Sequence, residues 1–528
     1  MLGYRQPPRL PLPELDSSQP RRLFPTSRAH GLRRPPHSWF LHGLESLPMK
    51  LTRFALAAAL AWGVYHGTAN AQEAGIPADP ASVSTNNYFY EPGAPASPSD
   101  QAVAPQPMGI ATAACEDSCD DCCDSCCGLN WPCGCALEDL GEAWSIGNRC
   151  FFQERGWVAG GWLAQSYVWN PYNPVDKYNG PMTWTDRANE YQMNELYGYV
   201  GKAAATEGCG WDWGFRTDAM YGSSYRWNTS GGFETNFGNG KFYGLAIPQL
   251  YGEIAYNDLS VKVGRFFSPV GYYVIGTANN FFPILPYTFQ YGEPFTHTGA
   301  LATYKVNDEL TVGGGVTHGW DASDNFGNNH TGGLITATKT IDEQRTLAYV
   351  GVFGPEPNFS STNVNQLNGF GYTPRYLQTL VYTNKISDDV LFVLQSDYGQ
   401  QDDAVTAGQT AKWYGINSYL YWNMTCRCQW GLNGEWFRDQ GGFRVGGVLP
   451  SLGSPNAQGL PLGRSGFDGS FYRMTFGPKY YFTPNFYGRA ALAADWYSGP
   501  ANANGILPFD DGTKKNQQVV VFDAVLTF

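Results

Sequence analysis

The chain ends in Val519-Val520-Val521-Phe522-Asp523-Ala524-Val525-Leu526-Thr527-Phe528, and this stretch decides the fold. Counting back from Phe528, every second position is apolar, and the positions between include Asp523 and Thr527. A period of two indicates a β-strand with one apolar face. A membrane-spanning strand turns that face to lipid, whereas a soluble strand buries it in a core. Whether the rest of the chain repeats the pattern therefore determines the class of protein.

The pattern recurs along the chain from residue 156 onward. In 211–222 the apolar parity holds two tryptophans, a phenylalanine and a tyrosine, and the other parity holds the charges. Segments 390–398, 471–482 and 486–497 alternate in the same way. A charge facing lipid at the midplane costs about 2–4 kcal/mol, so the charged parity should face inward. The predicted lumen-lining residues are Asp212, Arg216, Asp218, Glu253, Lys262, Asp397, Glu435, Arg473, Lys479, Arg489, Asp495 and Asp523.

The composition agrees with a lipid-facing sheet. Only 15% of the 528 residues are charged, against about 25% in typical soluble proteins. Aromatic residues also make up 15%, and glycine occurs 63 times. The mean hydropathy is negative, and no apolar run reaches the length of a transmembrane helix. We therefore expect a single all-β, up-and-down antiparallel barrel of about 16 strands.

The connections predict the orientation of this barrel. Candidate strands cover 156–169, 190–203, 210–224, 244–256, 259–267, 296–306, 309–320, 332–340, 344–354, 374–385, 389–400, 411–424, 428–439, 470–482, 485–498 and 517–528. Short turns such as Asn257-Asp258 alternate throughout with long loops, including 268–295 and 401–410. Short turns on one rim and long loops on the other are typical of outer-membrane barrels. Both chain ends should lie in the periplasm, and the long loops should face outside.

Loop 268–295 differs from an ordinary water-facing loop. It is long, apolar and marked by prolines, and it contains Phe281-Phe282-Pro283-Ile284-Leu285. One interpretation is that the loop folds into the lumen as a constriction. The alternatives are a packed cap over the rim and a contact between subunits.

The N-terminal region predicts export. Met49-Lys50-Leu51-Thr52-Arg53, an apolar core and Ala69-Asn70-Ala71 form the pattern of a signal peptide over 49–71. Residues 1–48 are then either a gene-model extension or an atypical leader. Residues 72–114 are rich in Ala, Pro and Ser and should form a disordered linker. A cysteine-rich periplasmic segment, 115–150, precedes the barrel at 151–528.

The chain without residues 1–71 is acidic, with 25 Lys and Arg against 43 Asp and Glu and a net charge of −18. An acidic protein does not bind nucleic acid by counterion release, so nucleic acid is excluded as a partner. The acidity serves either the solubility of the outer loops or divalent-cation binding by them.

The cysteines allow three interpretations. The disulfide candidates are Cys115, Cys119, Cys122, Cys123, Cys126, Cys127, Cys133, Cys135, Cys150, Cys209, Cys426 and Cys428. In an oxidising compartment these favour disulfides, within the chain or between chains. A soft metal such as zinc and a redox site are the alternatives. Cys209, Cys426 and Cys428 fall in predicted periplasmic turns, where they could join the barrel to the cysteine-rich segment.

The sequence does not predict an enzyme. After residue 71 the histidines are His297, His318 and His330, and neither a metal-ligand pair nor a nucleophile elbow is present. His297, next to Thr296 and Thr298, is best interpreted as a structural histidine at the end of a strand. We predict no catalytic residue, no metal site and no cofactor.

Four stretches resemble one family. They are Trp211–Asp218, Val261–Phe266 followed by Pro269–Tyr272, Gly292–Gly299, and Glu435–Asp439. They resemble the beta-barrel outer-membrane porins of the OmpL-like type, abundant in planctomycete bacteria, and the likeness runs from about residue 137 to 528. The terminus also resembles the closing strand of Gram-negative outer-membrane barrels, in which a final aromatic residue, here Phe528, is read by the barrel assembly machinery.

The resemblance implies an outer-membrane porin of a Gram-negative-type bacterium, surrounded by outer-membrane lipid. We expect a passive diffusion channel for small polar solutes, with weak ion selectivity because acids only slightly outnumber bases in the predicted lumen. The alternative is a structural envelope protein, anchored by the barrel and cross-linked through the cysteine-rich segment. A homo-oligomer or disulfide-linked envelope partners are compatible with both.

Overall fold

The computed structural model describes residues 143–206, 208–230, 232–234, 241–323, 330–358, 371–406, 408–425, 427–446 and 466–528. The expectations for the leader, the signal peptide, the linker and the cysteines of 115–135 lie outside these residues, as does Cys426.

Sixteen strands form one closed antiparallel barrel in which each strand pairs with its neighbours in the chain. The strands are β1 Val158–Trp169, β2 Tyr191–Lys202, β3 Trp211–Gly222, β4 Gly244–Tyr256, β5 Leu259–Phe267, β6 Thr296–Asn307, β7 Leu310–Thr317, β8 Gly332–Thr340, β9 Arg345–Asn358, β10 Gly371–Ser387, β11 Val390–Thr406, β12 Gln409–Asn423, β13 Cys428–Gln440, β14 Gly469–Thr483, β15 Phe486–Ser498 and β16 Asn516–Thr527. The predicted all-β barrel and its strand number are confirmed.

The barrel closes where β1 pairs with β16, from Trp162 opposite Thr527 to Trp169 opposite Val520. Beyond this ladder, the Gly161 N–H donates to the Phe528 carbonyl at 2.8 Å, and the Phe528 N–H donates back at 2.9 Å. A Cβ on Gly161 would lie 2.2 Å from the Tyr197 carbonyl and 2.7 Å from the Phe528 ring. Glycine is needed here because the closing strand approaches so closely.

The two faces of the wall differ in chemistry because side chains alternate along each strand. On β3, Trp211 is 72% exposed on the outer face, whereas Asp218 is 1% exposed on the inner face. On β16, Phe522 is exposed and Asp523 is buried. The outer face is thus an apolar surface suited to lipid, and the charged parity points inward.

The rims differ as predicted, with one correction. The rim that carries both ends of the barrel has short turns, and most connections at the other rim are long. However, 401–410 is not a long loop, because β11 continues to Thr406 and β12 begins at Gln409. The residues of this hairpin are mostly polar, so no apolar alternation in the sequence marks the two paired strands. The rule of alternating long and short connections therefore has an exception.

Arg265 shares parity with the lipid-facing residues of β5, which predicts a rim position or a local irregularity. In the structure the alternation breaks at Gly264, whose φ is +133°. A Cβ there would lie 2.3 Å from the Leu250 carbonyl. After this break Arg265 turns inward, is buried, and donates to the Asn228 carbonyl at 2.7 Å.

Helical elements within the described residues are short. Helix α1 covers Cys150–Gln153 before the barrel, and α2 covers Tyr225–Asn228 after β3. Single 3-10 turns occur at Ile146–Asn148 and Thr277–Asn279, and a π-helical turn occurs at Thr288–Gly292. Among these residues no helix is both long and apolar enough to cross a membrane.

Candidate functional site: the lumen and the loop that crosses it

Two arginine–aspartate pairs join neighbouring strands on the inner wall. Arg473 on β14 lies opposite Asp495 on β15, and its Nε donates to Asp495 Oδ1 at 2.6 Å. Arg489 on β15 lies opposite Asp523 on β16, with Nε–Oδ1 at 2.8 Å. All four side chains are at most 1% exposed. Each pair occupies directly facing positions, so antiparallel register alone brings the opposite charges together.

The remaining predicted lumen residues follow the same inward parity. Arg216 pairs with Asp218, and Asp212 accepts from Lys202 at 2.7 Å. Lys262 lies over the Tyr251 ring at 4.6 Å. Lys479 lies over the rings of Tyr481 and Tyr487, at 4.9 and 4.2 Å. The other members of the predicted set are buried and are Glu253, Asp397 and Glu435.

Loop 268–295 enters the lumen and packs against its wall, in agreement with the constriction interpretation; we call it the plug loop. On the side of β1 and β2, Glu195 accepts from the indole N–H of Trp162 at 2.7 Å and from the Thr277 N–H at 3.0 Å. Arg489 Nη1 donates to the carbonyls of Thr277 and Asn280, at 3.0 and 2.6 Å.

The opposite side of the wall holds the second half of the plug loop. Glu435 on β13 accepts from the N–H groups of Tyr287 and Thr288, at 2.7 and 2.6 Å. Arg473 Nη1 donates to the Leu285 carbonyl at 2.6 Å. The Trp413 indole N–H donates to the Gly292 carbonyl at 2.9 Å. Predicted lumen charges thus bind loop backbone, and at this level the lumen is narrower than the strand count alone implies.

Aromatic side chains fill the space between the plug loop and β12. The ring of Tyr273 stacks on Tyr419 with centroids 5.2 Å apart, and Phe281 stacks on Tyr421 at 4.6 Å. The largest cluster of buried apolar residues includes these four rings. Packed aromatic pairs contribute about 0.5–1.5 kcal/mol each beyond the area they bury. The plug loop is therefore a packed element of the fold.

A second loop, 170–190, also turns inward and contacts the plug loop. Gln290 accepts from the Thr183 N–H at 2.7 Å. Asp186 forms a fully buried pair with Arg226 of α2 at 2.8 Å. Trp184 lies beside the rings of Trp227 and Phe295. The plug loop is thus covered by loops from the long-loop rim.

Arg444, in the connection between β13 and β14, binds the plug loop from the side of the long-loop rim. Its Nε donates to the Tyr291 carbonyl at 2.5 Å, and its guanidinium lies 5.0 Å from the ring centroids of both Trp320 and Trp413. Burial, and then the neighbouring charge of Arg375, lower the pKa of Arg444 to about 9. The arginine therefore serves the packing of the loops and is withdrawn from solvent.

The sequence pattern missed several residues that hold the plug loop. Glu195 was missed because the register shifts between Ala164 and Gln165 on the partner strand, which breaks the simple alternation. Glu293 lies in a loop, where parity gives no signal, although it belongs to the Gly292–Gly299 stretch that carries the family resemblance. Gln395 shares the parity of Asp397, but an uncharged side chain did not stand out.

Glu293, Gln395 and Asp397 form a cluster between the plug loop and β11. Gln395 Nε2 donates to Glu293 Oε1 at 2.5 Å and to Asp397 Oδ1 at 3.0 Å. Gln395 Oε1 accepts from the Tyr272 N–H at 3.0 Å. Burial, and then the neighbouring Asp397 carboxylate, raise the pKa of Glu293 well above its usual range.

The cysteines within the described residues are Cys150, Cys209 and Cys428, and no disulfide joins them to one another. All three lie on the short-turn rim, before β1, between β2 and β3, and at the start of β13. Their pairing with cysteines of the 115–135 segment, or with Cys426, stays a prediction. Within the described part of the chain, no cluster of three or more metal-ligating side chains is found.

His297 lies on the inner wall at the start of β6 and is fully buried. Its Nδ1 is 3.1 Å from the Gly319 carbonyl, and its Nε2 is 3.1 Å from Ser268 Oγ. With Nδ1 protonated, the ring donates to the carbonyl and accepts from the hydroxyl. Both nitrogens are thus used in holding neighbouring segments.

A closed antiparallel barrel with an apolar exterior and a charged inner wall is the architecture of outer-membrane barrel proteins. The profile of the family described as "Putative beta-barrel porin-2, OmpL-like" matches residues 158–528. The chain belongs to this family, as the sequence resemblance predicted, and family membership implies an outer-membrane location. The match begins at β1, later than the expected start near residue 137.

Several solved structures are similar to the chain in fold at low sequence identity. In-vitro folded OmpT of Vibrio cholerae is 9% identical, with 70% of this chain and 97% of that chain covered and a TM-score of 0.44. The outer membrane channel DcaP of Acinetobacter baumannii is 8% identical, with 71% and 98% covered and a TM-score of 0.45. The anion-selective porin from Comamonas acidovorans is 10% identical, with 70% and 99% covered and a TM-score of 0.43. No curated protein matches the sequence.

Proposed function

We propose that the protein is a passive diffusion channel for small polar solutes with weak ion selectivity. The chain belongs to a porin family, and the observation that carries the proposal is that charged side chains of its inner wall form ion pairs. Arg473–Asp495 and Arg489–Asp523 neutralise each other across neighbouring strands. Because each pair is neutral as a unit, the inner wall has no strong excess of one charge at these positions that would attract one sign of ion.

The plug loop sets the size limit in this proposal. It is held by hydrogen bonds from β2, β12, β13, β14 and β15, so it cannot leave the lumen without breaking several buried contacts. In this proposal solutes pass between the loop and the wall, where polar groups replace part of their hydration. We therefore expect a narrow channel that admits small sugars and excludes larger ones.

A liposome-swelling assay with sugars of graded size tests this proposal. Liposomes containing the purified full chain should swell in small sugars and stop swelling above a sharp size limit. A salt gradient across the same membranes should give a reversal potential close to zero. Swelling no faster than that of empty liposomes would overturn the channel, and a reversal potential near that of an ideally selective pore would overturn the weak selectivity.

A structural envelope protein is the second candidate, and two observations favour it. The plug loop enters the lumen, and Cys150, Cys209 and Cys428 all belong to the rim that is expected to face the periplasm. In this case the barrel is an anchor, and the cysteine-rich segment cross-links neighbouring molecules or envelope partners. Such a protein should migrate as a reducible ladder on gels and should not conduct in planar bilayers.

Both functions require assembly in the outer membrane. The assembly signal that we propose, Phe528, stands directly after β16 and is hydrogen bonded to Gly161 at the closing seam. The partners are then outer-membrane lipid, the barrel assembly machinery and, for the channel, small polar solutes. A homo-oligomer is compatible with the continuous apolar exterior.

A further inference from the structure

The plug loop has a stem, formed by Gly271 and Tyr272 near its start and by Gly292 and Glu293 near its end. One wall residue, Gln395 on β11, contacts both sides of this stem. Its Oε1 accepts from the Tyr272 N–H at 3.0 Å, and its Nε2 donates to Glu293 Oε1 at 2.5 Å. This amide thus joins both sides of the stem to the wall, and the Trp413 indole bond to the Gly292 carbonyl adds a second attachment on one side.

Glu293 and Asp397 lie beside this amide, and its Nε2 donates to both carboxyl groups, at 2.5 and 3.0 Å. Asp397 Oδ1 accepts from Gln395 Nε2 at 3.0 Å and from Thr379 Oγ1 at 2.5 Å. Within the described structure, Glu293 Oε2 and Asp397 Oδ2 are buried oxygens to which no group donates a hydrogen bond. Two carboxyl groups can bond to each other only if one of them carries a proton.

Among the residues that the structure describes, no ion pair compensates a second ionised carboxylate at this position. The titratable groups that face Glu293 are Asp397 on β11, Glu435 on β13 and Tyr419 on β12. No basic side chain within the described residues forms an ion pair with Glu293 or Asp397. Two negative charges on buried carboxyl groups that accept from the same Gln395 nitrogen repel each other strongly.

The loop backbone is shaped to hold this carboxyl group. Gly271 has a φ of +81°, and a Cβ on it would lie 2.2 Å from Glu293 Oε2. The Glu293 side chain therefore packs directly on the backbone at the other end of the stem. Movement of the carboxyl group and separation of the two stem segments are coupled by this contact.

We infer that Glu293 and Asp397 share one proton and form a latch that holds the plug-loop stem against β11, and that loss of this proton frees the stem and widens the lumen. The proton passes to bulk water as the pH rises, and two carboxylates remain. Burial, and then the Asp397 carboxylate, raise the pKa of Glu293, which is the direction that retains a proton. The change in conductance that this inference predicts rests on the proposed channel, whereas the change in hydrogen exchange of the plug loop does not.

Recordings on the purified full chain in planar bilayers, from mildly acidic to strongly alkaline pH, test the latch. The wild-type conductance should rise several-fold as the pH rises. Glu293→Gln supplies an amide donor to Asp397 that does not titrate, so its conductance should stay low at every pH. In Asp397→Asn the new amide can donate to the Glu293 carboxylate instead, so the conductance of this variant should also stay low at every pH. Glu309→Gln, at an exposed rim pair with Lys339, is the control and should keep the wild-type profile.

Hydrogen exchange of residues 268–295 provides a readout that does not depend on conduction. Wild type and Glu293→Gln, compared at the same pH, should exchange alike in acid, and the wild type should exchange faster in alkali. Equal exchange in alkali, or a wild-type pH profile in Glu293→Gln, would overturn the latch. If neither protein conducts at any pH but the exchange difference is present, the latch stands and the proposed channel fails.

Discussion

Arg489 on β15 forms a two-point ion pair with Asp523 on β16 and, with the same guanidinium, donates to the carbonyls of Thr277 and Asn280 in the plug loop. One side chain thus links the closing strand of the barrel to the segment that fills its lumen. The planar guanidinium can do this because its donors point in several fixed directions.

Arg489→Gln should destabilise the barrel strongly, because Asp523 is left as a buried charge without its partner. Breaking a buried ion pair by removing one partner costs about 3–5 kcal/mol. Urea unfolding in detergent micelles or lipid vesicles measures the change. Asp388→Asn, at an exposed rim pair with Lys385, should leave the midpoint unchanged. Equal stability of Arg489→Gln and wild type would show that the pair is not formed.

Glu435→Gln should loosen the plug loop. Both carboxylate oxygens accept from loop N–H groups, whereas a glutamine offers one oxygen and one NH₂ group, so one backbone donor would face another donor. An unsatisfied buried donor costs about 1–3 kcal/mol. Single-channel conductance should increase, and Glu190→Gln, at a partly exposed pair outside the plug loop, should not change it. An unchanged conductance in Glu435→Gln would show that the Glu435 carboxylate does not hold the plug loop in place.

Leu492→Arg should destabilise the barrel in the membrane, because Leu492 lies at the middle of β15 on the exposed outer face. Arginine at the midplane of a barrel costs about 2–4 kcal/mol, and the cost approaches zero near the interface. Phe486→Arg, on the same face at the rim end of β15, is the matched control. Unfolding in lipid vesicles should show the larger loss for Leu492→Arg, and equal losses would argue against a lipid-facing surface.

Gly271→Ala should destabilise the plug-loop stem for two reasons, the positive φ of +81° and the close approach of the Glu293 carboxyl group. Gly505 has a similar φ of +74° with open space around it, so Gly505→Ala carries the backbone cost alone. That backbone cost is about 1–2 kcal/mol. Proteolysis or hydrogen exchange of residues 268–295 should therefore be faster in Gly271→Ala than in Gly505→Ala.

The strands could be predicted because lipid imposes a period of two on the outer face, as in Phe522 and Leu526 on β16. The pattern ends where the membrane ends, so the polar extension of β11 to Thr406 gave no apolar signal. The antiparallel register of β14, β15 and β16 then places Arg473 opposite Asp495 and Arg489 opposite Asp523. These ion pairs need no further motif in the sequence. The inward fold of the plug loop was one of three interpretations, because the apolar run at Phe281 fits a cap and a subunit contact equally well.

The contacts of the plug loop could not be predicted, because they join residues far apart in the chain. The Glu435 carboxylate and the Tyr287 N–H are separated by 148 positions, and no local periodicity connects them. Glu195 and Gln395 are polar residues of strands, and only the path of the loop shows what they bind.

Single-channel recording of the purified full-length protein in planar bilayers at neutral pH tests the central claim most directly. A lumen narrowed by the plug loop should give small, discrete conductance steps, and Glu435→Gln should give larger steps under the same conditions. If neither protein conducts, although circular dichroism shows that each is a folded β-barrel, the result would contradict a channel. The structural envelope protein would then be the remaining candidate.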